Sequence, residues 1–252
     1  MIDHFASHEN GLHPASEKSA CPVCAALDSL VHGELSSGSS PLLWPGRLPP
    51  QRDQQAARPR QTIFQPGETL DGMQIVCDGW AARVSRLSDG RRQILSFVLP
   101  GDLVSTRALF AGSLNFHLEA ITAVRYACYR RAEFIAKLAA EPNLVVALIR
   151  INLAEKDEAD RLAADLGRRR AEERLARLFL LLMARLEIRG LVRDQSFALP
   201  LRQQHIADAT GLTPVHVNRV IGALRGDGLI ELAHGVLKVA NLAQLRRLAD
   251  LN

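Results

Sequence analysis

The spacing of apolar residues along the chain changes period twice. From about Gln61 to Tyr129 they come in short β-type runs at 73–77, 81–87, 93–99 and 116–129. Turn residues interrupt these runs. Asp89-Gly90 is a hairpin signal, and Pro66-Gly67 and Pro100-Gly101 mark further turns. Gly79, Gly90, Gly101 and Gly112 recur at a spacing of 11 residues. Short strands with turn signals at this interval predict a small antiparallel barrel or roll.

From Ala132 the period becomes helical. Pro142 suits a first helical turn, and a long helix is expected over 143–165, ending near Gly167. Within it Ile149, Lys156 and Ala163 share one heptad row, and Asn152, Ala159 and Leu166 share another. This is a narrow seam of coiled-coil type with a polar interruption. A second helix over 171–189 carries Leu175, Leu178, Phe179, Leu182 and Leu186 on one face and stops at Gly190.

The segment 201–239 is the most specific. A short helix over 202–210 is followed by Gly211 as a tight turn. Thr213 is an N-cap and Pro214 the first residue of a helix over 214–225. Val217, Val220, Ile221 and Leu224 face inward at helical spacing, which leaves Val215, His216, Asn218, Arg219 and Ala223 on the outer side. A hairpin over 229–239 turning at His234-Gly235 completes a winged helix-turn-helix. The second helix of such a motif enters the major groove N-terminus first. Arg219 has the geometry to bridge guanine O6 and N7, and Asn218 suits an adenine edge or a phosphate. Thr213 and Arg202 are expected at phosphates, which orient without specifying sequence.

Charge sharpens this picture. The net charge is +4, but from Arg168 onward 14 Lys/Arg face 8 Asp/Glu, whereas the first 167 residues hold 17 against 19. The positive charge gathers where a polyanion would be met. No apolar run approaches the ~20 residues that span a bilayer, and the N-terminus has no secretion signal. A soluble cytoplasmic protein is expected. Residues 36–60 are rich in Ser, Gly and Pro and read as a linker. The four cysteines, Cys21, Cys24, Cys77 and Cys128, suit metal ligation or redox sensing better than cross-linking in a reducing compartment. No nucleophile–base pair, carboxylate constellation or phosphate-binding glycine loop is present, so an enzyme is not expected.

As a set, Gly79, Asp89-Gly90, Pro100-Gly101-Asp102-Leu103, Leu109-Phe110, Pro142-Asn143-Leu144, the 171–176 run AEERLA, Gly211-Leu212-Thr213 and Asn218-Arg219 resemble the CRP/FNR family of bacterial transcription regulators. The resemblance spans Gln61 to the C-terminus. It implies an α+β protein in four parts. These are an N-terminal cysteine-containing segment and linker (1–60), an antiparallel, cyclic-nucleotide-binding-like β-roll sensor domain (61–140), a dimerisation helix (141–167) and a winged helix-turn-helix (168–252). It also implies a homodimer on palindromic double-stranded DNA, with RNA polymerase as a partner if the protein activates. Two departures stand out. Where cyclic-nucleotide-binding members carry a Glu and an Arg-Ser/Thr pair, this chain has Thr106, Phe116 and His117, so no cyclic nucleotide is expected. The recognition helix has Val215 where Glu is usual, and a valine there suits a thymine methyl group.

The chain is closest to the FNR-type branch, in which N-terminal cysteines and one from the roll hold a [4Fe–4S] cluster. Cys21 and Cys24 match the first pair and Cys128 the distal ligand; the remaining ligand is His32 or Cys77. Zinc on the same residues is an alternative. So is a regulator without a cluster that responds to a small molecule or to thiol oxidation. A metal or redox protein whose C-terminal module mediates only protein contacts is a third reading.

Overall fold

The computed structural model describes residues 53–250. Seven strands make the N-terminal roll: β1 (Asp53–Ala57), β2 (Thr62–Phe64), β3 (Gly72–Asp78), β4 (Ala81–Arg86), β5 (Arg92–Val98), β6 (His117–Ala120) and β7 (Val124–Arg130). They form two antiparallel sheets, ordered β1-β7-β3 and β2-β6-β4-β5. The glycines spaced by 11 all sit at positive φ, between 72° and 89°, where side-chain-bearing residues are strained. At Gly79 the approach is also close: an added Cβ would lie 1.9 Å from the Ala123 carbonyl oxygen.

One expectation is corrected here. The stretch read as linker up to Arg60 ends in a strand, since β1 pairs in register with β7 from Asp53↔Cys128 to Ala57↔Val124. Its sequence, DQQAA, has no apolar alternation. Backbone pairing along an otherwise open edge of β7 creates the strand.

Short α1 (Thr106–Ala111) and α2 (Arg131–Ala140) lead to α3 (Pro142–Arg168), then α4 (Ala171–Glu187). Between them, β3 and β7 of the first sheet bury two different faces. The inner face holds Val76, Tyr126 and Val124 with Phe64, Leu118 and Phe116. The outer face packs Met73, Ile75, Ala127 and Tyr129 against Phe134, Leu144, Leu148 and Ile151 of α2 and α3. The C-terminal part adds β8 (Ser196–Ala198), α5 (Gln203–Thr210), α6 (Pro214–Gly226), β9 (Ile230–Ala233), β10 (Val236–Val239) and α7 (Leu242–Leu248), with sheet order β8-β10-β9.

The third core joins the two halves of the molecule. Trp80, Val84, Ile94 and Phe97 of the roll are buried in the same cluster as Phe179, Leu182, Ile206, Ala209 and Val217 of the C-terminal part. Polar links reinforce it. Arg92 bridges Glu119 of the roll (2.9 Å) and Asp208 of α5 (3.2 Å), and Gln93 Nε2 donates to the Ala209 carbonyl. Asp102, 3% exposed, receives Arg185 Nη2 of α4 at 2.5 Å and also accepts from Arg189, in the turn just after α4.

Candidate DNA-binding surface

Helix α5, the turn at Gly211 and helix α6 form the helix-turn-helix. Gly211 takes φ 66°, and its amide closes α5 on the Ala207 carbonyl. The Thr213 hydroxyl then accepts from the His216 amide at 3.2 Å and caps α6, with Pro214 in its first turn. Val217, Val220, Ile221 and Leu224 are buried beneath α6. Val215, Asn218 and Arg219 are exposed on the opposite side together with Gly222, and Val215 is 72% exposed. His216 is only half-buried at the edge of this strip. An apolar residue so exposed, between an arginine and an asparagine at the free N-terminal end of a helix, makes a surface with hydrogen-bond donors and a methyl-contact group side by side.

The neighbouring elements hold this strip in place. Gln203 Nε2, at the start of α5, donates to Asn218 Oδ1 at 3.2 Å. The sequence reading overlooked Gln203; its place beside the cap of α5 was the available signal. Arg202 is exposed and precedes α5, with its amide donating to His205 Nδ1. The wing is β9 and β10, joined through His234 and Gly235, both at positive φ as a tight hairpin turn requires.

On α3, Ile149, Asn152, Lys156, Ala159 and Ala163 are exposed. Asn152 also accepts from the Thr106 hydroxyl at 2.8 Å through its own Oδ1, and its side-chain amide donates to the Leu148 carbonyl. Leu166 is half-buried against the helix-turn-helix turn, its Cδ2 standing 2.7 Å from where a Cβ on Gly211 would be. The open row is therefore Val146, Ile149, Leu153, Lys156, Asp160 and Ala163, at alternating spacings of 3 and 4 residues. Leu153 is 57% and Ile149 53% exposed. Phe110 of α1 is also exposed, at 62%. An exposed row at this spacing, apolar at four of its six positions, has the period of a two-stranded coiled-coil seam.

Inside the roll, Arg83 pairs with Glu155 of α3 at 2.6 Å, donates to the Leu103 carbonyl and lies 5.4 Å above the Phe116 ring. Thr106 is buried beside this pair and His117 is half-buried. Arginine, the residue type that would meet a phosphate, is thus already committed to a carboxylate.

Of the proposed metal ligands, Cys21, Cys24 and His32 lie outside the described residues. Cys128 is half-buried on β7, on the inner face of its sheet, directly opposite Asp53. Burial, with the Cys128 and Glu68 charges, pushes the adjacent Tyr126 hydroxyl up to about 12. Cys77 is buried on the other face, in the core under α2 and α3. Residues on opposite faces of one sheet cannot reach a common centre, so Cys77 is not a partner ligand for Cys128. Among the described residues no group of three or more His, Cys, Asp or Glu side chains could hold a metal ion, and no helix is long and apolar enough to cross a membrane.

Comparison with known proteins agrees with this geometry. Residues 54–141 match the cyclic nucleotide-binding domain model and residues 173–248 the Crp-like helix-turn-helix domain model. The transcriptional activator protein FnrL of Cereibacter sphaeroides is 31% identical over 68% of this chain and 70% of its own length. The chain belongs to the CRP/FNR family of transcription regulators. The nitrogen fixation regulation protein FixK of Bradyrhizobium diazoefficiens is 31% identical over 75% of this chain and 78% of its own. The structure of FixK2 from Bradyrhizobium japonicum superposes with a TM-score of 0.69 at 27% identity, covering 78% of this chain and 96% of that one. As a CRP/FNR-type regulator the protein carries a DNA-binding helix-turn-helix beside an antiparallel roll, and its relatives are of FNR type.

Proposed function

We propose that the protein is a cytoplasmic regulator that grips a two-fold symmetric operator as a homodimer, with α6 of each protomer in the major groove. The observation that carries this is the exposed strip of Val215, Asn218 and Arg219 above a buried apolar face. Arg219 reads a guanine, Val215 packs on a thymine methyl group, and Thr213 and Arg202 hold phosphates. His216, at the edge of the strip, adds a contact beside Val215. Pairing along Val146, Ile149, Leu153 and Ala163 sets the two recognition helices about 34 Å apart, one turn of the duplex.

The test is selection of a preferred duplex from a random pool, followed by anisotropy titrations. Arg219→Ala is expected to lose about 1–3 kcal/mol per half-site on that duplex and little on random DNA. Equal discrimination by wild type and variant would refute the assignment.

A redox input completes the proposal. Cys21, Cys24, His32 and Cys128 would hold a [4Fe–4S] cluster, which would supply an oxidant-sensitive centre. Two observations support the fit. The Cys128 thiol is not sealed in the core, and the chain leading back to Cys21 and Cys24 departs from Asp53, its register partner. Protein purified without air should carry iron and sulfide and a visible absorption band that air removes. Cys21→Ala should abolish both the band and any redox dependence of DNA binding. Colourless, iron-free protein would instead favour a cluster-free regulator.

A further inference from the structure

We propose that the cavity enclosed by β5, α3 and α4 is a binding site for a small amphipathic organic anion, a molecule with an apolar body and one carboxylate or sulfonate group. The cavity measures about 340 Å³, within the range of small-molecule sites. It lies on the side of α3 opposite the open Ile149–Lys156 row, so a second protomer docked there leaves it accessible.

Its walls come from both halves of the molecule. The roll contributes Leu95 and Phe97, α3 contributes Leu162, and α4 contributes Leu178 and Leu181. Leu95 and Leu181 are 40% and 37% exposed, an apolar surface that solvent alone does not favour. The charge around it is unbalanced: five arginines line the cavity against three carboxylates. Two of those carboxylates are already engaged, Asp165 by Arg169 and Arg177, and Glu158 by Arg185. The Arg161 and Arg246 side chains are exposed and make no ion pair or hydrogen bond among the described residues. Arg185, 6% exposed, also forms part of the wall, and its Nε–H lacks an acceptor. Apolar walls with uncommitted guanidinium groups recognise an anionic head on an apolar body.

A bound molecule would touch β5 and α4 together. Its occupancy would therefore bias how the roll sits on the DNA-binding part, by as much as its affinity differs between arrangements. The effect on operator affinity rests on the DNA-binding reading; the site itself does not, and the experiment contains no DNA.

The full chain is titrated with the aromatic sulfonate 8-anilinonaphthalene-1-sulfonate, followed by fluorescence. One saturable site per chain is expected, competed by decanoate far better than by decanol. Leu181→Trp and Leu95→Trp fill the space from opposite walls and should each weaken the dye about tenfold, roughly 1.4 kcal/mol, with thermal midpoints near wild type. The Arg161→Ala/Arg246→Ala double variant on the exposed rim should weaken it several-fold without touching the core. The proposal is overturned if dye binding survives both tryptophan substitutions in folded protein, if the double arginine variant binds as wild type, or if decanol competes as well as decanoate.

Discussion

Asp102 offers the sharpest test of how the two halves are joined. Its carboxylate, with 4% of the side chain exposed, faces Arg185 and Arg189, whose side chains are 7% and 4% exposed. It also accepts the Leu99 amide at 2.7 Å. Asp102→Ala would leave two buried guanidinium groups short of their shared anion. Removing one partner of a buried pair costs about 3–5 kcal/mol. The low end applies here, because Arg185 keeps Glu158 at 3.5 Å and Arg189 keeps the Pro100 carbonyl at 2.7 Å. The orphaned Leu99 amide adds about 1 kcal/mol. At roughly 2–4 °C per kcal/mol for a chain of this length, a loss of about 4 kcal/mol lowers the melting midpoint by roughly 10 °C. Differential scanning calorimetry reads this directly, and Asp102→Asn, which keeps an acceptor, should fall between wild type and alanine. An alanine variant that melts within about 2 °C of wild type would refute the reasoning.

Leu153→Glu puts a charge into the open row of α3 and should turn a dimer into a monomer in sedimentation velocity, whereas Arg150→Glu, one position off the row, should not. Burial first, then the Arg92 and Arg202 charges, lower the His205 pKa below its ordinary value. The unfolded chain therefore takes up the proton first, so stability is fullest above about pH 6.5 and falls as the pH drops below it. His205→Gln should flatten that slope below about pH 6.5 in urea titrations. Gly90→Ala has open space and meets only backbone strain, about 1–2 kcal/mol. Gly79→Ala must also displace the Ala123 carbonyl and should cost clearly more, as paired thermal melts would show.

Much of the fold is local and was therefore legible. The cap at Thr213, the turn at Gly211 and the buried row from Val217 to Leu224 all follow from neighbours in sequence, and the structure places them as read. The roll followed from its turns. What escaped depends on distance along the chain. Strand β1 forms only because β7, some 70 residues on, offers a free edge. The Asp102–Arg185 pair spans 83 residues, and nothing local marks Asp102 as more than a turn residue. Of the six heptad positions named on α3, Asn152 is exposed but also bonded to Thr106, and Leu166 is half-buried beside Gly211. Neither Thr106 nor Gly211 belongs to the helix. Cys77 stood beside His32 as a candidate ligand because nothing local shows that it and Cys128 lie on opposite faces of one sheet.

The apolar layer that Trp80, Ile94 and Phe97 share with α4 and α5 bears on modular engineering. Grafting this reader head onto a foreign sensor by cutting near residue 168 would strand the Phe179 and Ile206 surfaces in water. A chimera that keeps β4 and β5, or that carries compensating polar substitutions on α4 and α5, should express as soluble protein where the simple fusion precipitates.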